Sequence, residues 1–445
     1  MASPSEPGGP RELPRVIGLL QATALVVGTI VGTAIFVQPS EITRSVPTVS
    51  GILAAWALAG LLTMLGALAF AELASAFPAT GGLYVFLREA YSRRLAFLWG
   101  WSNVWIIHTG VIAAIAMVCA RYVAYFLPAL ADDERAVAVV LVAAISALNY
   151  AGVRAGAAVQ TTATAAKLVA IGVLLVAGLT ATLPEAAGLA WHPGLAELST
   201  VPLDRLLLGV GAGLFAFGGG HIVTYAAGET TDPARTLPRA LIAGTLVVTL
   251  CYIALNALYL YVLPIETVRA SPRVAADVAE ALVGPAGASA VALLVVLSGI
   301  GTITGIVLAG PRMYLAMAAD GMMPAWLDAV HPRFHTPHRA ILLQGAWAVV
   351  LVLTGQYATL FARVIYVEWF FFALIAGGLF VLRGRGDYRP GAPMWGYPVT
   401  PMLFVVASGA VVIGQILAQP ADALIGAAMV AAGWPVAVWF TRRRA

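Results

Sequence analysis

Residues 27–39 read VGTIVGTAIFVQP, an apolar run that glycines interrupt. Gly28 and Gly32 stand in its middle, where they tolerate an unwound backbone, and Pro39 closes the run. Residues 215–220, FAFGGG, repeat the pattern, because each of three consecutive glycines removes about 1 kcal/mol of helix preference relative to alanine. Both stretches lie inside longer apolar segments. The sequence therefore predicts two helices that are broken at membrane depth.

The composition around these stretches is that of an integral membrane protein. Hydrophobic residues make up 61% of the chain, charged residues 10%, and the mean hydropathy is +0.90. These values exclude a soluble globular protein and predict an all-α membrane fold. Twelve candidate transmembrane helices lie near 15–38, 51–77, 95–127, 136–152, 157–183, 203–228, 238–263, 287–318, 340–356, 358–382, 400–417 and 421–441.

The charge distribution predicts the orientation in a cell inner (plasma) membrane. Most arginines fall on one side of the twelve-segment count and many acids on the other, so we expect both termini in the cytoplasm. Residues 1–14 are expected to be a disordered cytoplasmic tail, because they have no apolar core of a signal peptide. The formal charge of +4 reflects this topology and predicts no nucleic-acid partner. The arginines on the predicted cytoplasmic side are Arg11, Arg15, Arg88, Arg93, Arg94, Arg154, Arg235, Arg239, Arg333, Arg339, Arg383, Arg385, Arg389 and Arg442 to Arg444.

Metal, cofactor and enzyme chemistry have no support in the sequence. Cys119 and Cys251 sit in apolar segments without a histidine or cysteine at ligand spacing, so we expect neither a disulfide framework nor a zinc site. A phosphate loop does not explain the glycines, because no strand precedes them and no lysine follows at the required spacing. We therefore expect no catalytic residues, no metal and no cofactor.

The two predicted breaks suggest a binding site for a zwitterion. Broken backbone at membrane depth is tolerated where it lines a cavity, although each glycine cluster alone is equally compatible with close helix packing. The amides of Thr33 and Ala34, at the start of a half-helix, suit a carboxylate. The carbonyls of Ile30, Phe215 and Gly218 suit an ammonium group. Together these groups match the α-carboxylate and α-amino groups of a free amino acid.

Two breaks five segments apart also predict how the chain is organised. Discontinuous helices at matching positions are typical of transporters built from inverted repeats. Segments 1 to 5, residues 15–183, would form the first repeat, and segments 6 to 10, residues 203–382, the second. Two further helices would follow at 400–441.

Lys167 is the only lysine, whereas the other 24 side-chain cations are arginine. It lies in the apolar run 159–182, where about 15 Å of helix separates it from either end. Its stem is too short to reach the interface over that distance, which disfavours snorkelling. A compact ammonium can replace a small bound cation, so we expect Lys167 to act in ion coupling or gating.

Four blocks of sequence resemble the amino acid, polyamine and organocation transporter superfamily, and most closely its L-type amino acid transporter branch. The blocks are VGTIVGTAIFVQP at 27–39, ALAFAELASAFPATGGLYVFLREAY at 67–91, LFAFGGG with GETTDPARTLPRAL at 214–241, and GPRMYLAMAADGMMP with HTPHRAI at 310–341. The resemblance implies a leucine-transporter-type fold of twelve helices with a five-plus-five inverted repeat. It also implies alternating access and a substrate held at the broken helices.

The resemblance gives specific roles to several residues. In sodium-coupled relatives a sodium ion lies between helices 1 and 8, and in this branch a lysine on helix 5 takes its place. Carried over, the ammonium of Lys167 would bond to the carbonyls of Gly28 and Val31 and to the hydroxyl of Thr302. Sodium-independent transport would follow. Phe215 would be the aromatic gate over the substrate.

Three features depart from the family pattern. Gly32-Thr33-Ala34 replaces the usual Gly-Ser-Gly, so a methyl group intrudes where the backbone would meet the carboxylate. Gly220 stands where large aromatic residues are common, which would enlarge or reshape the side-chain pocket next to Gly218 and Gly219. The loop at 128–135 has no cysteine, so no disulfide-linked heavy chain is expected.

Five further residues have more than one interpretation. Ile107 and His108 would lie beside the substrate's side chain, although a histidine bonded to a neighbouring carbonyl explains His108 as well. Glu368 would carry a proton, contact a cationic substrate, or form a structural hydrogen bond as a neutral acid. His221 would line the cavity or be structural. Arg312 would anchor the inner end of segment 8 or touch substrate, and we expect the anchoring role.

The sequence thus predicts a sodium-independent transporter or exchanger of L-amino acids, with neutral side chains favoured. The first alternative is a proton-coupled carrier of cationic amino acids or amines, suggested by Glu368. The second is a nutrient sensor that binds without net transport, but we expect neither terminus to form a sizeable signalling tail.

Overall fold

The described residues of the chain are almost entirely helical. The structure, a computed structural model, describes residues 15, 17–79, 81–180, 194–334, 336–355 and 357–442, so the predicted tail at 1–14 lies outside it. Within these ranges, turns and one isolated backbone bridge connect the helices. The prediction of an all-α membrane protein is therefore confirmed.

The helices are numbered as segments 1 to 12, in the order of the predicted ones. Segment 1 consists of Leu19–Ile30 and Gln38–Ser45, and segment 6 of Leu203–Ala216 followed by a 3₁₀ helix at Gly220–Glu229. Short connecting helices lie at Leu83–Ala90, Leu195–Leu198, Ile265–Ala270 and Val274–Val283. The other segments are Val49–Ala76 (2), Arg93–Phe126 (3), Glu134–Ala151 (4), Val153–Thr180 (5), Pro233–Val262 (7), Pro285–Ala319 (8), His338–Thr354 (9), Tyr357–Arg383 (10), Val399–Ala418 (11) and Pro420–Arg442 (12).

The lengths of these helices fit a multi-pass membrane protein. Ten helical stretches among the described residues are long and apolar enough to cross a membrane. Two further helices, Leu19–Ile30 and His338–Thr354, are apolar but shorter. The first of these is short because the backbone of segment 1 is interrupted.

The interruption of segment 1 lies where the glycines predict it. The α-helix ends at Ile30, whose carbonyl accepts a hydrogen bond from Gly32 N at 2.7 Å. Residues 31–33 are not helical, a 3₁₀ turn follows at Ala34–Phe36, and the helix resumes at Gln38. The chain therefore changes direction in the middle of an apolar segment.

Segment 6 is interrupted at its glycines, and the contact with segment 1 explains why one of them is needed. Gly219 has φ +94°, a left-handed conformation that favours glycine. A Cβ atom at this position would lie 3.0 Å from the carbonyl oxygen of Thr29 in segment 1. The two breaks therefore touch through their backbones, and a larger residue would push them apart.

The helices that pack together follow a regular pattern. Segment 1 packs on 6, segment 2 on 7, segment 3 on 8 and segment 4 on 9. Segment 1 also contacts segment 7, and segment 6 contacts segment 2 in the same way. Likewise, segment 5 contacts segment 8, and segment 10 contacts segment 3. Adding or subtracting five from each segment number leaves this set of pairs unchanged.

A buried ion pair connects segments 2 and 10 near their C-terminal ends. The carboxylate of Glu72 is fully buried and accepts two hydrogen bonds from the guanidinium of Arg383, at 2.9 and 2.6 Å. It also accepts the backbone amide of Met394, in the connection to segment 11. The guanidinium in turn lies 4.0 Å from the ring centre of Tyr397. One acid thus holds two membrane segments and a loop together.

We expect Glu72→Ala to destabilise the protein by about 3 kcal/mol. Removing one partner of a buried pair costs about 3 to 5 kcal/mol, and the lower end applies because Arg383 keeps partial exposure. Thermal unfolding of the purified protein in detergent measures the change. Glu266→Ala, which alters an exposed acid, is the matched control and should change the unfolding midpoint little. Equal midpoints for the two variants would contradict the structural role of this pair.

Candidate functional site

A tyrosine of segment 7 joins the two broken helices. The hydroxyl of Tyr252 lies 2.9 Å from the carbonyl oxygen of Ile30 and 3.0 Å from that of Ala216, so its one hydrogen is shared between the last carbonyl before each break. Its ring packs against Trp56 and Phe217, with ring centres 5.4 and 5.0 Å apart. Tyr252 was not among the residues predicted from the sequence. The available signal was a hydroxyl at membrane depth, which requires a partner but does not identify it.

The breaks open onto a cavity whose other walls come from segments 3, 8 and 10. Most of the residues predicted to bind substrate line it, and so does Thr302. The lining residues predicted from the sequence are Ile30, Thr33, Ala34, Ile107, His108, Phe215, Gly218, Gly219, His221, Thr302 and Glu368. Apart from Thr29, the remaining walls are apolar and include Val111, Ile115, Ile306 and Val364.

Gly220 is not brought into this cavity. A Cβ atom on it would lie 2.9 Å from the Cδ1 atom of Ile30, so the space beside this glycine is already filled by segment 1. It lines a neighbouring apolar space instead, with Phe70 and Phe404. The expected effect of Gly220 on the side-chain pocket therefore lacks support in the geometry, because the 3₁₀ helix turns this position toward segment 1.

The backbone groups at the breaks differ in how far they are already satisfied. The Ile30 carbonyl accepts from both Gly32 N and Tyr252, which uses both of its lone pairs. This makes Ile30 a poorer ammonium ligand than the sequence suggested. The amides of Thr33 and Ala34 make none of the backbone hydrogen bonds found between described residues outside the helices. Gly218 lines the cavity at the other break.

The ammonium of Lys167 is bound to the backbone of segment 1. Its side chain is 1% exposed, and Nζ donates to the carbonyl oxygen of Gly28 at 2.8 Å. Snorkelling is therefore excluded. Among the described residues, no hydrogen bond joins it to Val31 or Thr302, and the Thr302 hydroxyl donates to Ser298 O within its own helix. One of the three expected partners is present.

Segment 3 changes its helical winding where it meets the cavity. A π-helical turn at Asn103–Ile107 precedes His108, and such turns are frequent at functional sites. His108 is 3% exposed, and neither ring nitrogen has a hydrogen-bond partner among the described residues. The carbonyl partner considered for this histidine is therefore absent. Gln344, which lies close to His108 beside Gly310, has no partner for its amide either.

Glu368 and His221 form the titratable part of the cavity wall. Both residues are buried, at 4% and 5% exposure, and Glu368 Oε1 lies 3.9 Å from His221 Nδ1. That separation is too long for a hydrogen bond. The carboxyl oxygen Oε2 lies 3.7 Å from the position of a Cβ on Gly218, so the acid stands next to the break in segment 6.

Arg312 lies outside the cavity, as expected. Its guanidinium donates to Glu229 at the end of segment 6, at 3.1 Å, and to Leu308 O in its own helix, at 3.1 Å. Beside it, Ile17 N donates to Glu229 O at 3.0 Å and Thr231 N donates to Ile17 O at 2.9 Å. These contacts tie the start of segment 1 to the end of segment 6.

Comparison with known proteins identifies the family. Residues 17–440 match the family model described as amino acid permease. The chain belongs to the amino acid permease family. This assignment confirms the predicted transporter superfamily and excludes the enzyme class.

Three amino acid permeases illustrate the relationship. The chain is 30% identical to the serine/threonine exchanger SteT of Bacillus subtilis (strain 168), over 97% of this chain and 98% of the relative. It is 31% identical to the human b(0,+)-type amino acid transporter 1, over 92% of this chain and 84% of the relative. It is 28% identical to the mouse large neutral amino acids transporter small subunit 2, over 98% and 82%. The predicted relation to the L-type branch is confirmed.

We expect Tyr252→Phe to weaken substrate binding although Tyr252 does not line the cavity. The change removes the hydroxyl that joins Ile30 to Ala216 and leaves a buried carbonyl unsatisfied, at a cost of about 1 to 3 kcal/mol. Thermal unfolding and amino acid binding by the purified protein measure the two effects.

Tyr259→Phe is the matched control on the same segment. The hydroxyl of Tyr259 is buried without a hydrogen-bond partner among the described residues, so its removal should change neither measurement. If both variants bind substrate as the wild type does, Tyr252 does not hold the breaks in register.

Proposed function

We propose that the chain is a sodium-independent exchanger of L-amino acids that works by alternating access and favours neutral side chains. The observation that carries the proposal is the meeting of two broken helices at a cavity inside the membrane segments. Thr33 and Ala34 offer amides to a carboxylate, and Gly218 offers a carbonyl to an ammonium group. The names of the relatives, one an exchanger and one a transporter of large neutral amino acids, support the same substrate class.

The proposal includes twelve membrane crossings and two inverted repeats. The repeats comprise residues 15–183 and 203–382, with two further helices at 400–441. The pattern of helix pairing supports this organisation, because exchanging the first five segments for the next five preserves it. The arginine distribution supports cytoplasmic termini in a cell inner (plasma) membrane. The loop at 128–135 gives no cysteine for a disulfide-linked heavy chain.

Alternating access requires that contacts at the two ends of the bundle break in turn. At the proposed cytoplasmic end, Ile17 and Arg312 are bonded to Glu229, which holds the two half-helices closed. At the opposite end, Ser40 Oγ donates to Ser271 O at 2.6 Å, which holds the outer half of segment 1 against the loop between segments 7 and 8. Substrate binding at the breaks would shift the balance between these closed ends.

Lys167 replaces a coupling ion in this proposal. A fixed ammonium bonded to Gly28 O supplies the positive charge at the first break that a sodium ion would otherwise bring. Since the cation is part of the protein, transport needs no sodium gradient. The amides of Thr33 and Ala34 lie at the same break, so the substrate's carboxylate is expected to bind at this end of the site.

Counterflow in proteoliposomes tests the function. We expect labelled L-amino acid to accumulate in vesicles that are preloaded with an unlabelled substrate, and to accumulate equally when external sodium is replaced by potassium. A panel with small, large neutral and cationic side chains identifies the substrate. If no member of the panel accumulates above the level in vesicles without protein, the chain is not an amino acid exchanger.

We expect Lys167→Ala to lower the exchange rate by about 10-fold or more, or to uncouple transport, because it removes a charged hydrogen bond to the first break. The protein should remain folded in detergent. Val169→Ala, on an exposed part of the same segment, is the matched control and should exchange normally. Wild-type turnover and affinity in Lys167→Ala would remove the proposed role of the ammonium.

A further inference from the structure

Glu368 stands at the second break as Lys167 stands at the first. Lys167, on segment 5, is bonded to segment 1 next to its break, and Glu368, on segment 10, lies beside Gly218 in the break of segment 6. The two positions correspond when five is added to each segment number. The first break therefore has a buried cation behind it, which does not line the cavity, and the second break has an acid that does.

The carboxyl group of Glu368 faces the cavity without a hydrogen-bond partner among the described residues. The residue is 4% exposed, it lines the cavity, and it makes none of the hydrogen bonds found between described residues. The titratable groups that face it are His221 and Tyr225 from segment 6 and, across the cavity, His108 from segment 3. No arginine or lysine is among the residues that line this cavity.

These surroundings disfavour a lone carboxylate. An ionised acid buried without a cation costs several kcal/mol, so the group stays protonated until a cation arrives. His221 is also buried, and its Nε2 atom has no partner among the described residues. Its Nδ1 atom lies 3.9 Å from Glu368 Oε1, which is too far for a hydrogen bond and makes an ion pair only when the imidazole is protonated. The cavity is thus complementary to a ligand that brings its own positive charge.

We propose that Glu368 is the counter-ion for the α-ammonium group of the bound amino acid and carries a proton when the cavity is empty. The inference rests on the proposed function. When the ammonium enters, the carboxyl O–H bond breaks, the proton passes to water, and the carboxylate accepts a hydrogen bond from the ammonium. The α-group is favoured over a side-chain cation because Glu368 is next to the backbone break at Gly218, whereas the outlying walls of the cavity are apolar.

This arrangement determines how proton movement is coupled to amino acid movement. Proton and ammonium compete for one carboxylate, so Glu368 is a neutral acid in the empty carrier and a carboxylate paired with the substrate's ammonium in the loaded one. Exchange of one amino acid for another then moves no net proton. Net movement of an amino acid carries a proton in the opposite direction, which distinguishes this mechanism from a proton-coupled symporter.

Proton release on binding tests the proposal directly. The purified full-length chain in detergent, weakly buffered near neutral pH, is mixed with L-alanine, L-serine or L-leucine, and a pH-indicator dye follows the proton. We expect wild-type protein to release up to about one proton per bound amino acid, because binding changes the number of protons held by one group. Glu368→Gln should release none and bind about 10- to 100-fold more weakly.

Two further variants separate this role from a structural one. Glu368→Asp keeps the acid and should restore part of the proton release. Glu280→Gln, which alters an exposed acid in the connection between segments 7 and 8, should behave as the wild type does. Binding without proton release in the wild type, at an affinity that Glu368→Gln leaves unchanged, would overturn the proposal.

Hydroxy-acid analogues identify the group that Glu368 recognises. L-Lactate replaces the ammonium of L-alanine with a hydroxyl, so the wild type should prefer L-alanine strongly and Glu368→Gln should lose most of that preference. A loss confined to L-arginine and L-lysine would assign Glu368 to a side-chain cation and contradict our proposal. If no amino acid binds any form of the protein, the failure lies with the proposed function itself.

Discussion

Backbone amide and carbonyl groups that are unpaired inside a membrane must find partners, and two interrupted helices bring several of them to one place. Part of the need is met within the protein. The hydroxyl of Tyr252 joins the carbonyls of Ile30 and Ala216, and Gly219 lets the backbones of both helices touch. What remains unpaired faces the cavity. A ligand that completes these bonds is held by the backbone itself, independently of its side chain, which suits a carrier for a class of related molecules.

The helix pairing around this site repeats between the two halves of the chain, but the buried charged side chains differ. Segments 5 and 10 occupy corresponding places, yet one supplies the buried ammonium of Lys167 and the other the buried acid of Glu368. A site with two like charges would suit a divalent ion, whereas opposite charges suit a zwitterion in a single orientation. The helix pairing thus provides two similar half-sites, and two side chains make them different.

Much of the fold is visible in the sequence because the membrane imposes strong rules. Long apolar runs give the segments, and the glycines near Gly32 and Gly219 give the breaks, since few residues tolerate those conformations. Lys167 is conspicuous because burial of a charge is costly. The contacts that depend on the rotation of one helix against another were not predictable. The bridge made by Tyr252 and the direction in which Gly220 faces follow from packing angles that apolar periodicity leaves undetermined, because these helices are apolar on most sides.

The inner part of segment 6, Gly220–Glu229, is wound as 3₁₀ helix in two pieces that a non-helical turn at Ala226 separates. A 3₁₀ helix rises about 2.0 Å per residue instead of about 1.5 Å, so each helical residue of this stretch adds about 0.5 Å relative to an α-helix. The hydrogen bonds of a 3₁₀ helix have poorer geometry than those of an α-helix. Ile17 is bonded to the far end of this stretch, so any shortening would draw the start of segment 1 along with it. The inner half of segment 1 and the inner half of segment 6 are therefore coupled through this backbone contact.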